Sequence, residues 1–335
     1  MARTDLIRAG DKFALVATST GVEDLGPQPV QMEDDLWVSN HPVVTFSDHW
    51  KGWLGSIRSD HLVDANLVVT TRAKSKAPSI LDGENVELGN RVRGYFTGLM
   101  LSARFSCSEA PLWLTGANVE GEADVRQSTD FSALPHVLGL LPEDITLAQL
   151  GEAAAHAKAM THMAATKKFL RFFHIVHVYC EARANRETLD QIHQFSRCLE
   201  GLIFPKPGDS TKKFKSRTEL FIGPKHHDLM GELYEIRSAA EHMNDHLFVV
   251  PSGREERIEF VRKSVIVEFI ARTSIARVLS RPALCAHFAT DDALKAFWDL
   301  PEAQRRDLWG PPVDPNAGLV GFESDGIRDF EIGLA

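Results

Sequence analysis

Arg237 and His242 stand with four residues between them in GELYEIRSAAEHMNDH, residues 231–246. A guanidinium keeps its proton at any physiological pH, whereas an imidazole titrates near neutrality. Together they offer a fixed positive charge for phosphate oxygens and a group that can take and return a proton. Phosphodiester chemistry of this kind needs no metal. Leu229, Leu233, Ile236, Ala240, Met243 and Leu247 recur at helical spacing through the same stretch, so the pair falls near the end of an expected helix over 226–247. Five positions apart on that helix, the two side chains point about 140° away from each other. Arg237 lies at the edge of the apolar stripe and His242 well off it, so both can reach beyond the core.

A basic tract precedes this helix. KPGDSTKKFKSR, residues 206–217, sets Lys206, Lys212, Lys213, Lys215 and Arg217 against a single acid, Asp209. Read as a loop, it is either a plain solvated surface or an electropositive funnel that guides a polyanion. The chain as a whole is acidic, with a formal net charge of −9, which excludes a protein that coats nucleic acid over its entire surface.

The elements that must position these groups fall into two regions. In the first, short β-like runs occur at 13–19, 42–48 and 65–71, separated by Gly, Pro and Asp clusters. Residues 84–103 carry a helical period at Leu88, Val92, Phe96, Leu99 and Met100, yet Gly89, Gly94 and Gly98 weaken a helix, and Gly89 with Asn90 can instead turn a hairpin. Residues 116–127 read as a loop. From about 144 the pattern is helical: an Ala-rich stretch runs on through Phe169, Phe172, Phe173, Val176, Tyr179 and Cys180. Further helices are expected over 187–204, 226–247 and 257–279, enough for a bundle of four main helices. A short helix near PEAQRRDLW ends at Gly310, and the rest of the tail is expected to be irregular.

The expected class is therefore α+β: a mixed α/β N-terminal domain over 1–143, an all-α bundle over 144–300, and a short helix with an irregular tail over 301–335. No apolar run approaches a membrane span and the first twenty residues lack a signal-peptide core, so a cytoplasmic protein with no membrane partner is expected. Cys107, Cys180, Cys198 and Cys285 are far apart with no Cys-x-x-Cys spacing, which points to reduced, buried thiols rather than disulfides or a zinc ribbon.

Residues 187–246 resemble a HEPN domain of the Apea-like branch. The likeness rests on SRCLEGLIF (196–204), the basic tract, SRTELFIG (216–223) and LYEIRSAAEH (233–242). The family hallmark is Arg, four to six residues, then His, in a Tyr-x-x-Arg-Ser setting; Tyr234, Arg237, Ser238 and His242 fit it. Leu199 with Glu200, and Arg217, fall where such domains carry a Leu-Glu pair and an Arg. The resemblance implies a metal-independent endoribonuclease without a cofactor, acting on RNA as a homodimer in which two motifs share one cleft, in a bacterial toxin or anti-phage defence setting. It makes Arg237 and His242 catalytic, Ser238, Tyr234, Glu200 and Arg217 supporting, and the lysines guides for the strand. The N-terminal domain would sense a ligand or recruit a partner protein. Glu241 and Met243 stand where the family commonly has an apolar residue and a glycine. They favour the rival reading, a non-catalytic HEPN-like dimerisation or binding module.

Other arrangements carry less. His242 and His246 have a zinc-clamping spacing, but HMNDH lacks the glutamate a zincin uses as base, and no metal is expected. Phosphate-binding, dinucleotide-binding and nucleophile-elbow glycine motifs are absent from the chain. Trp50 and Trp53 can stack on a base, or pack on their own sheet, which is the plainer expectation.

Overall fold

A computed structural model describes residues 6–204, 210–242 and 253–334. The chain divides into two compact units: residues up to His136 with Pro142–Thr161, and Val137–Leu141 with the residues from His162 onward. The α+β class is as expected. The boundary is not, because most of the Ala-rich helix assigned by sequence to the bundle belongs to the first unit.

In the first unit, β1 (Asp11–Thr18), β2 (Val30–Glu33), β3 (Leu36–Ser39), β4 (Leu67–Lys74), β5 (Leu112–Val119) and β6 (Glu122–Asp130) form one antiparallel sheet in the order β2-β3-β4-β1-β5-β6. β1 is central and buried throughout, so its side chains serve two cores by alternation. Phe13, Leu15 and Ala17 pack with Leu54 and Leu62 from α1 (Asp48–Leu54) and α2 (Ser56–Asp64). The opposite face meets α3 (Gly83–Ser102), where Thr71 and Trp113 donate to the Leu88 and Gly89 carbonyls. Lys12 also emerges on that face, wholly buried, and ends between Asp82 at 2.7 Å and Glu84 at 3.0 Å beside the start of α3.

The glycines of 84–103 do not break α3, and two of them, Gly89 and Gly98, let neighbours approach it. Gly98 lies against the carbonyl of Ala153 in α4 (Leu147–Ala165), and Tyr95 donates to the Leu150 carbonyl at 2.9 Å. Two further expectations are corrected. The loop at 116–127 is the β5–β6 hairpin, which turns at Glu120 and Gly121, both at positive φ as a two-residue turn of this hand requires. The run at 42–48 is not a strand and contributes one isolated bridge, Phe46 to Ala123. Trp50 and Trp53 pack edge to face, 6.0 Å between ring centres, and Trp50 rests on the sheet core.

The second unit is helical. The periodicity that seemed continuous is broken at Lys167 and Phe169, both at positive φ, and α5 (Leu170–Ala184) starts afresh. α6 (Thr188–Ile203), α7 (Ser210–Ile222), α8 (His227–Glu241) and α9 (Arg254–Ser280) complete the bundle, with α6 against α5, α8 and α9. At its heart Glu268 of α9 accepts from Tyr179 of α5 at 2.8 Å and from Arg272 at 3.0 Å. α10 (Pro282–Cys285), α11 (Asp291–Asp299) and α12 (Glu302–Trp309) follow. The tail lies along α9, with Gly318 against Phe269 and Arg254 paired to Asp329 at 2.9 Å. Among the described residues no helix is long and apolar enough to cross a membrane, and all four cysteines are free thiols.

Candidate functional site

The site is built on the facing surfaces of α6 and α8. Ile192, Phe195, Leu199 and Ile203 sink into the core, which turns His193, Arg197 and Glu200 toward the flank. On α8, Met230 and Leu233 are buried and anchor the helix, leaving Tyr234, Arg237 and Glu241 on the side that meets them. Arg237 donates to Glu200 at 2.8 Å and lies 3.9 Å from Glu241. Its guanidinium is 5.9 Å from the ring centre of Tyr234, and that ring packs on Phe214 of α7. Glu241 is held in turn by His193, 2.8 Å from Nε2.

Charge and burial set the roles. Arg237 and Glu200 are only 17% and 13% exposed, so their attraction is poorly screened. Burial raises the Glu200 carboxyl above its ordinary value, and Arg237 offsets only part of that rise. Among the described residues Arg237 Nε is buried without a hydrogen-bond partner. The Glu241 carboxyl goes the other way, held below its ordinary value of 4.5 by the bond from His193. A depressed carboxyl contributes stability above its unfolded value and loses it as pH falls through the folded one. The carboxyl carbon of Glu241 should therefore titrate by NMR with a midpoint below 4.5, and a midpoint at or above that value would contradict the His193 contact.

His242 forms the end of α8. Its N–H closes the helix on the Ser238 carbonyl at 3.1 Å, and its residue is exposed. Glu241, though adjacent, turns toward His193 and Arg237 rather than His242. Met243 and His246 lie outside the described residues.

No family model, curated protein or solved structure matches this chain.

The structure brings some of the singled-out residues together and separates others. Glu200, Tyr234 and Arg237 share the α6–α8 flank with His242 at its end, while Ser238, one position past Arg237 on α8, enters only through its carbonyl, which accepts from the His242 N–H. The basic tract is corrected from loop to helix from Ser210 onward, and Lys206 lies outside the described residues. On α7 its cations do not form one face: Lys215 approaches Gly231 of α8, while Arg217, about 200° round the helix, turns away. Arg217 instead donates to the Ile203 and Phe204 carbonyls at 2.6 and 2.9 Å and so ties down the end of α6. It supports the site only through that helix. His193 and Arg197 went unnoticed in the sequence. The available signal was their spacing, four residues from His193 to Arg197 and three from Arg197 to Glu200, which aligns all three on one helical face.

Proposed function

We propose that the second unit is a HEPN-like, metal-independent endoribonuclease. One observation carries this reading: the 2.8 Å pair of Glu200 and Arg237 joins two separate segments of the family likeness in space, and the exposed His242 ends the same helix. In the proposed reaction the RNA 2′-hydroxyl attacks its own phosphate, and the bond to the 5′-oxygen breaks. A 2′,3′-cyclic phosphate and a 5′-hydroxyl end result. His242 takes the proton from the 2′-hydroxyl or gives one to the leaving oxygen, a role that contributes about 10²–10⁴ in rate. Arg237 holds the non-bridging oxygens as their charge grows, from a position fixed by Glu200.

Since Arg237 and His242 diverge along α8, a two-fold pairing of chains would let each motif complete the other. The substrate is RNA and the setting a cytoplasmic toxin or defence effector, with the N-terminal unit as sensor or recruiter. A second reading, a non-catalytic binding module, draws on the two carboxylates already facing Arg237. Incubation with single-stranded RNA in excess EDTA separates the two. Cleavage supports the nuclease, and binding without cleavage supports the module.

A further inference from the structure

A cavity of about 320 Å³ opens between α7, α11 and α12, lined by Ser216, Arg217, Glu219, Trp298, Glu302 and Arg305 among others. Two guanidiniums flank the Trp298 ring, Arg217 at 4.8 Å and Arg305 at 5.7 Å from its centre. Each is fixed through Nη1 to backbone carbonyls. Arg217 holds Ile203 and Phe204; Arg305 holds Trp298 at 2.8 Å and Leu300 at 2.6 Å. Carbonyls orient these groups without neutralising them. Among the described residues, Nε and Nη2 of both have no bonded partner.

The acids of the cavity each have a partner other than Arg217 and Arg305, and Arg306, which pairs with one of them, also lines the cavity. Glu302 pairs with Arg306 at 2.6 Å, and Glu219 bonds His227. Asp299 acts on Arg217 only through its field, while burial and the charge of Arg305 push the Arg217 guanidinium below its ordinary value. Two fixed cations therefore face one cavity and repel each other there, a cost that a bound anion removes.

We infer that this cavity binds a phosphoryl group. The planar forks of two arginines match pairs of phosphate oxygens, which point-charge lysines cannot do as selectively. Ser216 adds a hydroxyl to the lining. Trp298 is only 5% exposed, so its ring offers no stacking surface for a base. Recognition stops at the phosphoryl group. That group belongs either to an RNA strand or to a small phosphorylated molecule, and the site is independent of whether Arg237 and His242 cut RNA.

Titration of the full chain with inorganic phosphate at low salt, followed by ³¹P NMR, tests the assignment. Saturable binding is expected, weakened about tenfold or more in Arg305→Gln by loss of a charged hydrogen bond. Arg305→Lys, which keeps the charge but not the fork, should fall between the two, and His242→Ala should bind as the parent does. Displacement by an oligoribonucleotide assigns the site to a strand, and displacement only by a nucleoside monophosphate assigns it to a small molecule; both sustain it. No saturable binding by the parent chain, or undiminished binding by folded Arg305→Gln, overturns the inference.

Discussion

His242→Ala should lower RNA cleavage by about 10²–10⁴, the contribution of a positioned acid or base, while leaving the fold intact. The residue is exposed at the end of α8 and its only described bond is through the backbone, which alanine retains. Its removal should change unfolding free energy by no more than about 0.5 kcal/mol. Rate and stability thus separate at this position. Single-turnover cleavage and urea unfolding on the same preparation measure both. A variant that cuts at the parental rate would place the proton transfer elsewhere; one that unfolds would give His242 a structural role.

Glu268→Ala should have the opposite profile, a loss of stability of about 3–5 kcal/mol, because it breaks a buried charged pair from one side. Glu268 is 3% exposed and receives both Tyr179 and Arg272. The carboxylate ties α5 to α9, and α6 packs against both, so the flank bearing Glu200 depends on it. Urea unfolding at neutral pH is the measurement. A loss below about 1 kcal/mol would mean that the network is replaceable by simple packing.

The helices that position the site were legible wherever a wide apolar stripe met a polar face. α6 and α9 follow their periodic residues closely, because burial on one side is what makes them helices. α7 was hidden by its charges. Phe214, Thr218 and Phe221 form its buried side, but three lysines among the first six residues make the tract read as solvated loop. The break between α4 and α5 had no written signal, since Lys167 and Phe169 adopt positive φ without glycine or proline. Tertiary contact, not local preference, holds that turn: Phe169 N–H bonds the Ala289 carbonyl at 2.9 Å. β2 and β3, of four residues each, were too short for alternation to show. At the site, Arg237 and His242 stood out by residue type. Glu200 was singled out only through the family likeness, and its pairing with Arg237 had no sequence signal, since no spacing along the chain relates positions on two different helices.

The 3′ ends of RNA cut by the purified protein in excess EDTA decide the central claim, that Arg237 and His242 perform transesterification. Mass spectrometry of the products should find 2′,3′-cyclic phosphate, at a level that collapses in His242→Ala. Products ending in 3′-hydroxyl, or cyclic phosphate formed equally by the variant, would contradict it.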